Sequence, residues 1–491
     1  MRRLLSVASV SMLILVSVPA QSWGAPSSQS GGGRGAWTLG RDMHEVRLAP
    51  ARAVLNDGRV IVIGGFDDNF SAGNTVEIYD PVRDVWSYAA PVPRLHAGPG
   101  YAATLPDGTV LYAGGIVQNP DQTWDFSESN LAFLFDPRGK TRLPDGRMLQ
   151  GRWRQTGSLP GVGLGGVNQT AVVTAGTVVI AIGQSDDSIL APDAPYWTAS
   201  RHSYIYDIRS GRWHQVELNE QRAHVPLVKL TDGRVFVSGG RQRFFDSAGD
   251  EVYSNTAEIY DPQKRVWEQA PKPMPSIPEE DGVGCAPPAT STCPSLNPGS
   301  RWGHIQHVLK DGRVLIAGGV FSTEGKPLNV RRSALIFDPR TASWTRAKHD
   351  MPVGLFMAIS ADLPDGRVLI AAGESEPLFL DEHRSWIFDP RNETWTPAAG
   401  LPCITLDEIV DQALGAPQGA TSLPSSSYNT QTGASQLPDG RVVFSGGFTN
   451  EVVDGNWGTV SQRTLVYDPR KAPVTSPSCP MSALPPNPNP A

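Results

Sequence analysis

Cysteine is scarce: four in 491 residues, which excludes a disulfide-dense scaffold. Beyond the first twenty residues no stretch approaches eighteen unbroken apolar residues, so no membrane-spanning helix is expected. Charge is also sparse at 19%, and 42 Lys and Arg against 49 Asp and Glu leave a net of −7. A general nucleic-acid binder needs the opposite balance or a basic face. Several catalytic signatures are missing as well. There is no P-loop, His-Glu-x-x-His, Cys-x-x-Cys or Gly-x-Ser-x-Gly, and no Ser-x-Asp-x-Gly-x-x-Trp box. What the chain does have is 50 glycines and 43 prolines alongside 40% apolar residues, a composition of short strands and tight turns around a large core.

The ends read as addressing and tail. Arg2 and Arg3 precede an apolar stretch from Leu4 to Val18, and Val18-Pro19-Ala20 and Ser22-Trp23-Gly24 are candidate cleavage sites. The expectation is an exported protein, secreted or periplasmic, with residues 1–24 as signal peptide and 25–35 as a Ser/Gly linker. Residues 481–491 form a disordered Pro/Asn tail, and 36–480 a single folded unit.

That unit is built from one phrase repeated seven times. A strand, an Asp-Gly turn and a second strand ending in two glycines lead to aromatic-Asp-Pro and a Trp. The clearest copy has Asp57-Gly58-Arg59, Gly64-Gly65, Tyr79-Asp80-Pro81 and Trp86. The glycine position recurs at 114–115, 182–183, 239–240, 318–319, 372–373 and 446–447. The aromatic recurs as Phe135, Tyr206, Tyr260, Phe337, Phe388 and Tyr467, each followed by Asp. In five copies a Trp stands seven residues later: Trp86, Trp213, Trp267, Trp344 and Trp395.

Asp-Gly between β-rich runs predicts a type I′ hairpin, because such turns need positive φ. Continuous apolar runs such as Val60-Ile61-Val62-Ile63 predict strands buried on both faces. A four-stranded unit cannot cover both faces alone, so the copies must stack, and placing them around an axis protects their edges. The pattern resembles the Kelch repeat over about residues 35 to 470, and that resemblance implies an all-β, seven-bladed propeller. The seventh copy has no Trp after Tyr467, while Trp37 stands alone before the first. The run from Trp37 to Met43 matches Trp344 to Met351, so the N-terminal strand is expected to complete the last blade.

Extra residues gather after the paired glycines and between copies, positions that share one face of such a disc; Gly139 to Gly151 is the exception on the other face. Insertions on one face mark a binding face. Its candidate ligand residues are Trp124, Trp197 and Trp457, with Arg47, Arg222 and Arg301, each ten residues before an Asp-Gly. His96, His224 and His304 lie in comparable links. The arginines could grip a carboxylate or phosphate, or pair with neighbouring acids and cap carbonyls between blades. The loop tryptophans could meet a sugar or a protein, or form a local core. Asp67-Asp68, Asp186-Asp187 and Glu279-Glu280-Asp281 have no calcium-loop spacing and read as solvated. Cys285 and Cys293 read as a staple within one loop, and Cys403 with Cys479 as a second bridge; four cysteines leave three connectivities open.

Several enzymes use Kelch-type propellers, the nearest in kind being the galactose-oxidase-like copper radical family. Its site needs a Tyr crosslinked to Cys, a Tyr-His pair and another His, and this chain has no Tyr-His dipeptide. The expected function is a non-catalytic recognition module, monomeric and free of cofactor and metal, binding an exported protein or a glycan through the looped face. Nucleic acid and membrane spans are not expected. The alternative is a carbohydrate-active enzyme, galactose-oxidase-like or a sugar isomerase, with its site at the mouth of the central channel.

Overall fold

The computed structural model describes residues 35–472, apart from 68–70, 94–95, 98–99, 119–125, 162–170, 182–196, 245–251, 282–296, 322–328, 376–379, 382–383, 402–403, 406–420, 423–433 and 454–455. The expected signal peptide, most of the linker, the C-terminal tail and all four cysteines lie outside the described residues.

Each copy of the phrase forms one four-stranded antiparallel sheet. The first consists of Ala51–Val54, Val60–Ile63, Val76–Asp80 and Val85–Ala89, ordered from the innermost strand outwards. The second consists of Tyr101–Thr104, Val110–Ala113, Ala132–Arg142 and Met148–Gln155; a single parallel bridge, Gln150 to Ala89, joins its outer strand to the first sheet. Sheets three to six open at Val172, Val228, Ile305 and Ile359 and repeat the same order. The seventh runs Ser435–Gln436, Val442–Val453 and Asn456–Asp468, and its outermost strand is Ala36–Leu39 from the other end of the chain.

These sheets form a ring. Neighbouring inner strands touch from the first sheet to the sixth, and the seventh touches the first. Between six and seven, the Gln436 amide bonds both the N–H and the carbonyl of Asp362. The apolar core divides the same way, into seven main clusters, each filling one gap between consecutive sheets. The gap between seven and one, for example, holds Met43, Val60, Val62, Tyr79 and Trp86 against Leu437, Val443 and Val466. The second strands, such as Val60–Ile63 and Val314–Ala317, are buried along their whole length because both their faces meet a neighbour. The fold is an all-β propeller of seven sheets.

The aromatic and the Trp prove to be register partners. Tyr79 lies opposite Trp86, Tyr206 opposite Trp213, Tyr260 opposite Trp267, Phe337 opposite Trp344 and Phe388 opposite Trp395. The two irregular copies obey the same rule: Phe135 meets Trp153 across the long hairpin of sheet two, and Tyr467 meets Trp37. Each indole N–H then reaches back to the preceding sheet. Trp153 donates to Ala90 O at 2.7 Å, Trp213 to Gly157 O at 2.8 Å, and Trp37 to Ser385 Oγ at 3.0 Å. Every outer strand is thus pinned to the blade before it, and the N-terminal strand closes the ring as expected.

The Asp-Gly turns correct the type I′ expectation. Gly58 has φ +84° while Asp57 is not in the left-handed region. Gly58 N bonds Leu55 O, Leu55 N bonds Arg59 O, and Asp57 Oδ1 accepts from Arg59 N. This is a type I turn followed by a glycine bulge. The type I′ geometry occurs in the copy that lacks Asp-Gly: Ala175 and Gly176 have φ +45° and +76° between paired Thr174 and Thr177.

Paired glycines are needed where the second strand leaves the sheet. Gly318 has φ +67°, and a Cβ there would stand 2.2 Å from Leu355 O of the next blade. Sheet six places Ala372, φ +60°, at the matching position. Gly318→Ala is therefore expected to cost at least about 2 kcal/mol, from strain plus clash. Ala372→Gly should be neutral or stabilising by up to about 1 kcal/mol, since relief of the left-handed strain offsets the added chain entropy. Urea unfolding of the two variants checks the pair.

Candidate functional site

Antiparallel order puts the segment leading into each inner strand and the loop after the paired glycines on one face. On that face the two segments pair with each other. Leu48 bridges Phe66, Ala223 bridges Arg241, Trp302 bridges Val320, and Phe356 bridges Glu374. His96–Ala97 pairs with Ile116–Val117 in the same register. The post-glycine loops continue as small hairpins: Ile116–Gln118 with Phe126–Glu128, Arg241–Phe244 with Val252–Tyr253, Val320–Phe321 with Asn329–Val330, and Glu374–Ser375 with Leu380–Asp381. In sheet seven the second and third strands simply run on as one long hairpin. The elaboration read as loops is a crown of β-hairpins.

This register fixes the place of the candidate arginines. Arg47, Arg222 and Arg301 immediately precede the bridging residues Leu48, Ala223 and Trp302, and His96 holds the same position in blade two. All three arginines are buried, at 2%, 1% and 0% exposure. Each donates through Nη1 to the first glycine of its pair: Arg47 to Gly64 O at 2.7 Å, Arg222 to Gly239 O at 2.7 Å, Arg301 to Gly318 O at 3.2 Å. The left-handed glycine turns its carbonyl inward, and the guanidinium satisfies it.

Two of the arginines also meet a carboxylate in the middle of a buried strand. Arg47 Nη2 lies 3.0 Å from Glu77 Oε1, and Arg222 Nη2 lies 3.1 Å from Glu258 Oε1, with both acids fully buried. Glu77 accepts in addition from His44, through its backbone N at 2.9 Å and Nδ1 at 2.6 Å. Glu258 accepts from the backbone of Asn219 and Glu220 and from the Asn219 amide. In blade five a segment from the preceding link takes over: Arg331, fully buried, pairs with Glu280 at 3.2 Å and Asp281 at 2.5 Å. Glu280 and Asp281 are thus not solvated, correcting the reading of that acidic run. Burial presses Arg301 down to about 9, with Arg331 beside it adding to the effect, so its charge survives at neutral pH. In this state the three candidate arginines serve the blade edges and present no group to a ligand.

His304 is 2% exposed, its Nε2 3.3 Å from Ser238 Oγ. Burial, then Arg301, holds it down at about 3, so the ring is neutral. His224 lies in the left-handed region at φ +58°, and burial followed by Arg241 keeps it well below its ordinary value. It packs beside Trp302, ring centroids 5.4 Å apart. Trp124 lies outside the described residues, as do the side chains of His96, Trp197 and Trp457.

The residues that do converge were not singled out from sequence. Trp302 of blade five sits between Tyr253 of blade four, at 6.4 Å, and Phe356 of blade six, at 4.7 Å edge-on. The Arg241 guanidinium covers its face at 4.6 Å. Tyr253, Val320, Phe321, Val330 and Met357 complete a core inside the crown, which makes these hairpins a stiff platform. Among the described residues no group of three His, Cys, Asp or Glu side chains could hold a metal ion.

The radial sheets, the Trp pins and the one-sided crown define a β-propeller whose elaborated face is distinct from its turn face. The Kelch motif family model matches residues 47–93 and 230–274, the blades with buried Arg–Glu pairs. The chain is 24% identical over 236 residues to beta-scruin of Limulus polyphemus, covering 48% of this chain and 22% of that protein. It is 32% identical over 101 residues to alpha-scruin of the same animal (21% and 11%) and 24% identical over 242 residues to Kelch-like protein 36 of Bos taurus (48% and 33%). The chain thus spans a third or less of the length of these curated relatives. Among solved structures, a fungal alcohol oxidase of the AA5 family in complex with copper aligns with TM-score 0.54 at 13% identity, over 89% of this chain and 76% of that one. The likeness to that oxidase shows the fold alone. Two of this chain's seven blades thus carry the Kelch motif.

Proposed function

We propose that this chain is an exported, non-catalytic interaction module that holds a partner protein on the crown face. One observation carries the reading. Five lead-in segments pair with post-glycine segments in one register, raising hairpins on a single face, while the opposite turns stay short in all but the second blade. A fold that needs only tight turns has no use for such hairpins, and rigid scaffolds place recognition on their elaborated side. The export half of the proposal rests on the basic, apolar and small-residue order of the first twenty residues. Curated Kelch-repeat relatives favour a protein partner over a glycan.

A photo-crosslinking residue placed at Asp67 or Gln242, on the crown, is expected to give a discrete protein adduct in the native exported fraction. The same group at Val266 or Thr341, on the turn face of blades four and five, should give none. Adducts confined to Val266 and Thr341, or a carbohydrate adduct from the crown, would reject the reading.

A further inference from the structure

One elaboration lies on the face opposite the crown. In blade two the third and fourth strands overrun the Asp-Pro turn to make one long hairpin, Ala132–Arg142 with Met148–Gln155, its register slipping between Asp136 and Lys140. The other blades turn in a few residues here, as from Asp338 to Ser343. Residues 136–154 contain six cations, Arg138, Lys140, Arg142, Arg147, Arg152 and Arg154, against Asp136 and Asp145. That is +4 in a chain of −7, leaving −11 for the rest.

All six cations are exposed. Two are neutralised locally, Arg138 by Asp136 at 2.9 Å and Arg147 by Asp145 at 2.7 Å. Lys140, Arg142, Arg152 and Arg154 form no ion pair among the described residues. Beyond the slip, Lys140 opposes Gln150 and Arg142 opposes Met148, so these two cations share one side; before it, Asp136 opposes Arg152 and Leu134 opposes Arg154, so the two arginines form a second row. The patch continues onto blade three. Gly157 N bonds Gly211 O, and Trp213 Nε1 bonds Gly157 O, which brings the exposed Arg209 and Arg212 alongside the end of the hairpin.

We propose that this hairpin is a second docking surface, for an extended acidic segment of a protein. Four cations without an ion pair leave the ribbon with a surplus of positive charge, which a polyanion would offset. Same-side residues along a strand recur every ~6.8 Å, so a partner strand with acids at alternate positions matches the cation rows. Arginine forks favour carboxylates with two-point geometry. Aromatic chemistry speaks against a sugar chain or single-stranded nucleic acid, both of which are gripped by stacking. The exposed large apolar side chains among the described residues are Leu39, Val82, Tyr88, Met148 and Val266, and the one ring, Tyr88, belongs to blade one. Trp153 within the hairpin is committed to Ala90 O and the core.

The test is fluorescence anisotropy on the full chain with a labelled ten-residue peptide of alternating Glu and Thr. Binding is expected to weaken about tenfold between low and physiological salt. It should weaken by at least about tenfold in K140E/R142E/R152E/R154E and remain unchanged in R265E/K272E, a charge change on blade four. The neutral set K140Q/R142Q/R152Q/R154Q, with an unaltered melting curve, separates lost charge from lost fold. No peptide binding at millimolar concentration, or binding indifferent to the quadruple changes, overturns the proposal. So does a sulfated oligosaccharide or polyuridine that binds tenfold tighter than the peptide.

Discussion

Deleting residues 35–43 should lower the melting temperature by about 10 °C or more, and Trp37→Ala alone should produce much of that fall. The segment supplies the whole outer strand of the seventh sheet, pairing Ala36 to Leu39 with Asp468 to Leu465. Trp37 is 5% exposed, packs at a tilt against Tyr467 with ring centroids 5.2 Å apart and donates to Ser385 of the sixth blade. Met43, 2% exposed, sits in the core between blades seven and one. Truncating a buried Trp to Ala costs about 3–5 kcal/mol, and losing Met43 with the strand bonds adds to it. A chain of this size shifts by roughly 2 °C per kcal/mol. Differential scanning calorimetry reads the result directly. The loss should be cooperative, because the strand touches blades six, seven and one together; a second, low-temperature transition would mean that blade seven melts alone.

Glu258→Ala is expected to destabilise by about 3 kcal/mol, the cost of taking from a buried cation its fully buried carboxylate. Arg222 is fully buried and would keep the partly exposed Glu220 carboxylate at 3.5 Å and the neutral acceptors Gly239 O, Thr256 O, Thr256 Oγ1 and Ser254 Oγ. Replacing both partners with apolar residues often restores stability at a buried ion pair. Here Arg222→Met with Glu258→Leu should recover little. Glu258 also accepts from Asn219 N at 2.7 Å and Glu220 N at 3.1 Å, and those amides would remain unsatisfied. Chemical denaturation of the single and double variants measures the difference. A double variant as stable as the wild type would show that the carboxylate serves the arginine alone.

The parts of the phrase that repeat were legible because each has a local mechanical cause. Trp37 could be assigned to the seventh blade from its missing partner, and the register Trp37 to Tyr467 follows the rule of the other six. The role of Arg47, Arg222 and Arg301 was less legible, since spacing put them near the channel mouth without showing which way they face. A signal was present in the third strands. Val76-Glu77-Ile78-Tyr79 and Ala257-Glu258-Ile259-Tyr260 carry a glutamate inside an otherwise buried strand, and such a charge requires a cation. The Arg241–Trp302–Tyr253 stack was hidden for another reason. Its members come from two blades and meet only because the crown hairpins form, a tertiary event with no local periodicity. The turn type failed on a finer point: glycine takes the positive φ alone, and Asp57 stays right-handed because its carboxylate caps Arg59 N.

Closure of the ring by its own N-terminus is best tested by hydrogen exchange on the unmodified chain. The amides of the strand from Ala36 to Leu39 that bond to the third strand of blade seven, Asn456–Asp468, should exchange as slowly as those of Val442 to Phe444, opening only when the whole propeller unfolds. Exchange of the 36–39 amides within seconds, while the blade cores stay protected, would contradict closure and leave an open ring of sheets.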